Sequence, residues 1–316
     1  MTRDGQALAA TPRSRVGRVR GLLSFLGLVL SWHLFLAPGL WSQEPLQLHF
    51  LDVGQGDAVL IQTPDARNVL YDGGERSRGV LRDLQELGIE ELELVIASHN
   101  HADHIGGLIE VMDNLSVPLF MDNGIPHTTR TYEDLLVSVL EAGSRLLEST
   151  ERTIRIGAVH LQIVPPTGDP GLGQNDNSIG VVVEYGDFRA FLGGDAEQRQ
   201  WAWWLETHRD RLGSVHVLKS SHHGSRNGDT RDGLATLSPE VVVIGVGADN
   251  PYGHPHPSAL RLYDEIGAEV FRTDRHHTIR IEALEDGTFE VFTERATASG
   301  PKLESGVIDV GPGLGW

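Results

Sequence analysis

Residues 98–107 read Ser-His-Asn-His-Ala-Asp-His-Ile-Gly-Gly, directly after the apolar run 92–97 that is typical of a buried strand. Within six residues this stretch places three imidazoles and one carboxylate, those of His99, His101, Asp103 and His104. Neutral nitrogen and carboxylate oxygen donors suit Zn²⁺ best, and also Mn²⁺. Alternate residues of an extended loop point to one side, whereas adjacent residues at the start of a helix diverge. The pattern therefore favours two metal sites over a solvated histidine loop.

Histidines cluster elsewhere in the chain too. Nine of the fifteen fall in four short segments, and each segment follows an apolar strand: His99, His101 and His104; His222 and His223; His254 and His256; His276 and His277. Ligands and metals gather at the C-terminal ends of strands in layered α/β proteins. We therefore expect the clusters to converge on one cleft, with His256, His276 and His277 as surface residues.

The composition excludes several kinds of site. The 316 residues include no cysteine, which removes a thiol nucleophile, a cysteine-ligated zinc, a disulfide framework and an iron–sulfur cluster. Hydrophobic residues make up 40% of the chain, which is typical of a globular protein rather than a disordered one. The formal net charge is −18, so binding a polyanion would require a local basic groove or bridging metal ions. This charge disfavours, but does not forbid, a nucleic-acid substrate.

The N-terminal residues have the pattern of an export signal. Five arginines, the last of them Arg20, precede the run 21–36, in which only Ser24, Ser31 and His33 are polar. A basic flank before an apolar run is typical of a signal peptide, and the run continued to Trp41 also suits an uncleaved anchor. We therefore expect residues 1–42 to be a signal peptide or membrane anchor. The body would then be secreted, periplasmic or membrane-anchored, facing outside the cytoplasm.

Beyond this segment, apolar strands alternate with amphipathic helices. The patterns predict helices over 79–87, 103–112, 132–142 and 258–266, and strands over 92–97, 179–185, 188–192, 215–218 and 241–246. Such alternation is typical of an α/β protein. After about residue 295 the chain is glycine-rich and polar. We expect one domain over 45–295 and a flexible tail over 296–316.

Several motifs together resemble those of a known enzyme family. His-x-His-x-Asp-His after a strand, preceded by a strand that ends at Asp72, resembles the metallo-β-lactamase superfamily. Further motifs are similar to its ComEC-type branch, that of the soluble domain of the competence DNA-uptake protein: FLDVGQGD at 50–57, NDNS at 175–178, GGD at 193–195, KSSHHGS at 219–225 and YGHP at 252–255. The resemblance implies a four-layered αββα sandwich that holds two divalent metal ions.

The resemblance also implies a ligand set. The first ion would be held by His99 and His101, the second by Asp103, His104 and His222, and Asp195 would bridge the two. The position of Asp195 fits this role, since a carboxylate directly after a strand can lend one oxygen to each ion; it could also cap the helix that follows. Of the two adjacent histidines we prefer His222 as the ligand and expect His223 to support it.

Three further residues surround this set. Asp72 is similar to the family's structural acid, which would orient a ligand histidine. Many superfamily members have a third histidine for the first ion where this chain has residues 175–178, so Asp176 is a candidate oxygen ligand that favours Mn²⁺, and an Asx-capped turn is the alternative. His254 lies in a proline-bracketed loop and would donate to a phosphoryl oxygen or a leaving group. We expect Asp103 and His254 to act in catalysis.

The function implied by the resemblance is that of a binuclear metallohydrolase in which a metal-bridging hydroxide attacks the substrate. We favour a phosphodiesterase for a small-molecule or cell-surface phosphoester, because ComEC-type relatives include phosphodiesterases and the body is acidic. One alternative is a DNA-processing nuclease related to competence. The other is a non-catalytic metal-binding scaffold or ligand-binding protein of the same fold. Hydrolysis of β-lactams is disfavoured, since this branch is not the antibiotic-hydrolysing one.

Overall fold

The structure, a computed structural model, describes residues 44–76 and 78–294, together with three two-residue strands at 296–297, 300–301 and 308–309. The predicted signal or anchor, residues 1–42, lies outside the described residues, as does most of the predicted tail. No helix in the described part of the chain combines the length and the apolar character needed to cross a membrane.

The strands and helices follow one another in α/β fashion. In chain order the strands are β1 (Leu46–Phe50), β2 (Val59–Gln62), β3 (Asn68–Tyr71), β4 (Leu94–Ile96), β5 (Leu119–Met121), β6 (Arg145–Leu147), β7 (Arg152–Ile156), β8 (Val159–Val164), β9 (Gly180–Tyr185), β10 (Phe188–Leu192), β11 (Val217–Lys219), β12 (Val241–Ile244), β13 (Glu269–Arg272), β14 (Ile279–Ala283), β15 (Phe289–Thr293), β16 (Ala296–Thr297), β17 (Gly300–Pro301) and β18 (Ile308–Asp309). The helices are α1 (Val80–Glu86), α2 (Ala102–Ile105), α3 (Leu108–Asn114), α4 (Arg130–Glu141), α5 (Gln198–Thr207), α6 (Arg209–Leu212), α7 (Arg231–Leu237), α8 (Pro257–Glu265) and α9 (Thr273–His276).

Two mixed sheets account for almost all of these strands. The first has the order β18-β15-β14-β1-β2-β3-β4-β5-β6, and the second has the order β13-β12-β11-β10-β9-β8-β7. Within them, β3 to β6 run parallel, and so do β10 to β13. Each sheet therefore has an edge at which several carboxyl ends of strands come together.

Three apolar layers hold the sheets and helices together. A core between the sheets contains residues such as Leu48, Ile61 and Val243, all fully buried. The outer face of the first sheet packs on α1, α3 and α4, and that of the second packs on α5, α7 and α8. Alternate side chains along each strand thus enter different layers, as the period of two requires. The predicted four-layered αββα sandwich is confirmed.

The predicted helix over 103–112 is instead two helices. The chain breaks between α2 and α3 at Gly106 and Gly107, where the strand-end loop at Gly73 and Gly74 packs against it. Gly73 N donates to the His104 carbonyl at 2.7 Å, and Gly107 N donates to the Gly74 carbonyl at 2.9 Å. A Cβ on Gly107 would lie 2.1 Å from the Gly73 oxygen. The close approach of these two loops, which periodicity does not report, divides the helix and fixes the histidine loop before it.

Candidate metal centre

The site lies where the carboxyl ends of strands from both sheets meet. His99 and His101 follow β4, and His104 is on α2. From the second sheet, Asp195 follows β10, and the pair His222 and His223 follows β11. The structure thus brings together the histidines that the sequence assigned to metal.

Asp195 lies at the centre of four imidazoles. Its Oδ1 is 3.2 Å from His104 Nε2 and 3.4 Å from His223 Nε2. Its Oδ2 is 3.8 Å from His222 Nε2 and 3.9 Å from His99 Nε2. One carboxylate oxygen therefore faces one pair of histidines, and the other oxygen faces the second pair. This is the arrangement that a bridging carboxylate needs.

In each of these four rings the other nitrogen, Nδ1, is already engaged. His104 Nδ1 lies 2.9 Å from Asp72, and His222 Nδ1 lies 3.0 Å from Glu197. The remaining two contacts are His99 Nδ1 to Ser98 Oγ at 3.0 Å and His223 Nδ1 to the Gly245 carbonyl at 2.8 Å. Metal-binding histidines are oriented by such partners, which leave Nε2 free to coordinate.

The group around Asp195 Oδ1 has the dimensions of a tetrahedral metal site. Asp103 Oδ2 is 3.4 Å from His223 Nε2 and 3.9 Å from His104 Nε2. Ligands at about 2.0–2.1 Å from a tetrahedral Zn²⁺ lie about 3.3 Å from one another, close to the distances in this group. His104 Nε2, His223 Nε2 and Asp195 Oδ1 are buried without a hydrogen-bond partner. Because unpartnered buried polar atoms are costly, these donors fit a divalent metal ion.

Asp57 also lies within 4.8 Å of His104, Asp195 and His223. Asp57, however, faces the Nδ1 atoms of the two rings and not the Nε2 atoms that face Asp195: its carboxylate is 3.7 Å from His104 Nδ1 and 3.6 Å from His223 Nδ1. Its partner is the buried ammonium of Lys219. Asp57 therefore belongs to the support of the site rather than to the donors that face Asp195.

A second group of donors surrounds Asp195 Oδ2. His99 Nε2 is 3.0 Å from His101 Nδ1, so the two histidines of the loop after β4 meet beside this oxygen. Asn175 lies next to His222: its amide nitrogen donates to Glu197 at 3.1 Å and is 3.4 Å from His222 Nδ1, while its buried Oδ1 has no hydrogen-bond partner. The side chains that face Asp195 Oδ2 are therefore imidazoles, which suit a borderline divalent ion.

Electrostatics favour cations at this site. Burial alone would raise the pKa of the Asp195 carboxyl, but His104 and His223 hold it well below its usual value. Burial alone would lower the pKa of His104, but Asp195, Asp72 and Asp103 raise it well above its usual value. Burial, and then the neighbouring His104, lower the pKa of His99 well below its usual value. The carboxylates thus create a negative field in a buried space, and this field attracts positive charge.

The structure places His223, rather than His222, beside Asp103 and His104. Both residues have left-handed backbone conformations, with φ of 49° at His222 and 53° at His223. This tight turn sends the two rings to opposite oxygens of Asp195 instead of to opposite faces of a strand. The turn is held by Asp229, which accepts hydrogen bonds from Ser221 N and from the buried hydroxyl of Tyr263.

Two further candidates from the sequence take different positions. Asp176 lies in the 3-10 turn Asn175–Asn177, where its carboxylate accepts a hydrogen bond from Gln200 N at 3.0 Å and so engages α5. The ring of His254 lies at the edge of the site, 5.4 Å from that of His222 and 6.2 Å from that of His223. Its Nδ1 is buried without a partner. His254 is therefore close enough to meet a ligand that enters the site.

The other histidines of the four clusters have local partners. His256 Nδ1 accepts from Arg226 N at 3.1 Å, and His276 Nδ1 accepts from Arg272 N at 3.0 Å. His277 Nδ1 is 3.1 Å from the Asp52 carboxylate. These three side chains are partly exposed, in keeping with the expectation that they are surface residues.

Sequence reasoning missed four residues that shape the site: Asp57, Asn175, Glu197 and Lys219. All of them lie in or next to quoted motifs, but none has the local pattern of a ligand. A lysine at the end of an apolar strand, as at Lys219, was the one available signal, because a charged residue there must find a buried partner.

A comparison with protein families agrees with this geometry. The model of the metallo-β-lactamase superfamily matches residues 51–246, more than half of the chain, and includes every donor around Asp195. The chain belongs to the metallo-β-lactamase superfamily. The resemblance inferred from the motifs is therefore confirmed at the level of the family.

Similarity to competence proteins extends beyond the matched segment. The chain is 28% identical over 279 residues to Recombination protein 2 of Haemophilus influenzae, covering 85% of this chain and 33% of that protein. It is 27% identical over 287 residues to ComE operon protein 3 of Bacillus subtilis, covering 82% of this chain and 36% of that protein. This metallo-β-lactamase-type chain thus spans about a third of the length of the curated relatives it matches.

Solved structures share the fold. The metallo-β-lactamase fold protein YhfI from Bacillus subtilis is 12% identical, with a TM-score of 0.51 over 76% of this chain and 100% of that one. CmlA, a diiron β-hydroxylase from Streptomyces venezuelae, is 17% identical, with a TM-score of 0.50 over 76% of this chain and 54% of that one. At such identities the likeness supports the metallo-β-lactamase fold alone.

Proposed function

We propose that this chain is a binuclear metal-dependent hydrolase that cleaves phosphodiesters. The observation that carries the proposal is the division of four Nε2 atoms between the two oxygens of Asp195, at 3.2 and 3.4 Å on one side and 3.8 and 3.9 Å on the other. A carboxylate in that position can bind two ions at once and set their separation. A site for a single ion would require only one of these two pairs of histidines.

We assign the donors to two ions as follows. One ion would be held by Asp103, His104, His223 and Asp195 Oδ1, and the other by His99, His101, His222 and Asp195 Oδ2. Relative to the expectation from sequence, this assignment exchanges His222 and His223. The donors indicate which ions fit: imidazole and carboxylate suit Zn²⁺ best, and also Mn²⁺.

Bound divalent ions would supply a water of lowered pKa and charge to stabilise the transition state. The chain's own residues determine where that chemistry takes place. Asp103 and His222 are 30% and 21% exposed, whereas His104 and His223 are almost fully buried, so the site opens on the side of Asp103 and His222. The Asp103 carboxylate is thus placed to accept a hydrogen bond from an incoming water.

His254 is positioned to contact the substrate rather than a metal ion. Burial lowers the pKa of His254 to about 4, and the neighbouring His223 and His222 act in the same direction. The imidazole is therefore neutral at pH 7 and can donate one hydrogen bond, but it holds no second proton to give away. We propose that it donates to a phosphoryl oxygen, where one such donor typically contributes to transition-state stabilisation.

The substrate class has two candidates. The net charge of −18 favours a small-molecule or cell-surface phosphodiester over a long polyanion. The similarity to Recombination protein 2 and ComE operon protein 3 favours a nucleic acid instead. Both substrates contain the same bond, so the metal chemistry is common to them and only the recognition differs.

A panel of substrates tests the proposal. The metal-replete body should hydrolyse a bis-aryl phosphate, and comparison of aryl phosphocholine with single-stranded DNA should decide between the two candidates. A chromogenic β-lactam serves as the control for the other chemistry of the superfamily. Activity should disappear after chelation and return with Zn²⁺ or Mn²⁺. A body that holds two ions but cleaves no phosphodiester would overturn the proposal in favour of a non-catalytic scaffold.

The location of the protein is part of the proposal. Residues 1–42 combine an arginine-rich flank with an apolar run, so we propose that they direct export or anchor the chain in a membrane, with the body outside the cytoplasm. A reporter enzyme that is active only outside the cytoplasm, fused after Glu44, should be active. A well-expressed but inactive fusion would place the protein in the cytoplasm.

A further inference from the structure

Lys219 is a fully buried cation beside the candidate metal centre. It ends β11, its side chain is 0% exposed, and it forms an ion pair with Asp57. Its Nζ also donates to the Gly194 carbonyl at 3.0 Å. A buried ion pair is seldom the most stable way to fill a core, because desolvation offsets its attraction. The pair therefore calls for an explanation other than stability.

Asp57 supports two of the imidazoles from the side opposite to Asp195. Its Oδ1 lies 3.6 Å from His223 Nδ1, and its Oδ2 lies 3.7 Å from His104 Nδ1. The backbone holds it there: Asp57 N donates to the Asp103 carbonyl at 3.2 Å. A Cβ on the preceding Gly56, at φ +137°, would lie 2.2 Å from that same carbonyl oxygen. The loop before β2 therefore packs directly against the segment 99–104, which carries the first histidines of the site.

Gly194 connects the same ammonium to the bridging carboxylate. Its carbonyl accepts hydrogen bonds from Lys219 Nζ at 3.0 Å and from His222 N at 3.2 Å. Gly194 has φ +54°, and it immediately precedes Asp195. Lys219 therefore ties together three segments, namely the loop of Asp57, the turn that presents Asp195, and the end of β11 that leads to His222 and His223.

We propose that Lys219 and Asp57 form a positioning pair that sets the metal affinity of the half-site made by Asp103, His104, His223 and Asp195 Oδ1. The inference rests on the proposed metal centre, and it concerns neither ligands nor substrate contacts. Among the imidazoles of the described residues, the Asp57 carboxylate contacts those of His104 and His223, so its loss should affect that half-site more than the one at His99 and His101. Supporting residues of this kind typically change metal affinity by about 10- to 100-fold.

Lys219→Met tests the pair because it removes the charge and the donor but retains an unbranched side chain. The full chain, freed of metal by chelation, is titrated with Co²⁺, whose absorption spectrum reports each binding step. We expect one step to weaken by about 10- to 100-fold, with a changed spectrum for that step. The other step should weaken less, because the Asp57 carboxylate contacts neither of the rings of His99 and His101 in that half-site.

Two further variants complete the experiment. Asp57→Asn keeps the shape of the side chain and removes only its charge, and it should weaken the same binding step as Lys219→Met. It also tests the inference if Lys219→Met does not fold. Arg189→Met is the matched control: it removes a partly buried cation that pairs with Glu184 at 3.0 Å in the same sheet, and its side chain contacts none of the histidines around Asp195. A merely structural role predicts that all three variants lower the melting temperature without changing the ratio of the two affinities. That result, or unchanged affinities in Lys219→Met and Asp57→Asn, would overturn the inference.

Failure of the inference and failure of the proposed function give different results. The titration measures metal binding and needs no substrate. A parent chain that binds two ions without cleaving phosphodiesters would contradict the hydrolase proposal while leaving the positioning pair in place. A parent chain that cleaves phosphodiesters, with variants that retain both affinities, would contradict only the positioning pair.

Discussion

Replacing Asp195 by alanine should weaken the binding of both metal ions. The substitution removes the oxygen that lies 3.2 Å from His104 Nε2 and 3.4 Å from His223 Nε2. It removes at the same time the oxygen that faces His222 and His99 at 3.8 and 3.9 Å. Each half of the site loses a charged ligand, so neither should be saturated at the metal concentration that saturates the parent.

The expected size of the effect follows from linkage. An ion present at 100 times its dissociation constant stabilises the folded state by about 2.7 kcal/mol, so two ions contribute about 5 kcal/mol. In a domain of roughly 250 residues each kcal/mol raises the melting temperature by about 2–4 °C, which gives the parent a metal-dependent rise of about 10–20 °C. A 100-fold loss of affinity in both halves leaves about 0.4 kcal/mol per ion. Asp195→Ala should therefore gain only about 2–3 °C from metal.

The assay compares melting temperatures of chelated and metal-loaded protein, with elemental analysis of the same samples. Glu184→Gln is the control, because it alters a partly buried carboxylate that pairs with Arg189 outside the site. The control should keep two ions and the full rise. If Asp195→Ala also keeps both, Asp195 only caps the turn before α5, and if it loses one ion alone, Asp195 is a ligand but not a bridge.

Three other substitutions have separate readouts. His254→Ala should keep both ions and lose about 10²- to 10³-fold in turnover. Because the pKa of His254 is lowered to about 4, the ratio of the variant's turnover to the parent's should be constant from pH 6 to 9, and a ratio that changes near pH 6.5 would contradict a neutral donor. His49→Gln should change the pH dependence of unfolding by urea, because burial, and then Arg280, lower the pKa of His49 to about 4 in the folded state. The unfolded state therefore binds the proton first as the pH falls, and between pH 7 and 4 the free energy of unfolding of the parent should fall by up to about 3 kcal/mol relative to that of the variant. A constant difference between the two free energies would refute this. Tyr263→Phe should cost about 1–3 kcal/mol by leaving the buried Asp229 one donor short, and unchanged stability would contradict that role.

Local patterns predicted an α/β protein and many of its strands and helices, whereas the αββα sandwich was predicted from the family resemblance. The strands β9 and β10 follow from their largely apolar runs, and the tight turn between them follows from Gly186, which has φ +56° in the structure. The break between α2 and α3 could not be predicted in the same way. It depends on contact with the loop at Gly73 and Gly74, more than 30 residues earlier in the chain. Periodicity reports which face of an element is apolar, but not which distant loop packs against it.

The candidate site was predicted in its composition rather than in its detailed geometry. Residue type and position after a strand identified His99, His101, Asp103 and His104, since metal chemistry restricts the choice, whereas Asp195 and the pair at 222 and 223 were assigned from the family resemblance. The choice between His222 and His223 depended on two consecutive left-handed residues, a conformation that no local motif specifies. Lys219 was not predicted to be part of the site because its partner, Asp57, is remote in sequence and becomes adjacent only in the folded chain.

Anomalous diffraction from crystals of the Mn²⁺-loaded body tests the central claim most directly. We predict two peaks about 3.5–4 Å apart, the separation common in two-metal sites, with Asp195 between them. One peak should lie within bonding distance of Nε2 of His104 and His223, and the other within bonding distance of Nε2 of His99 and His222. A single peak, or two peaks that do not share Asp195, would contradict the binuclear centre.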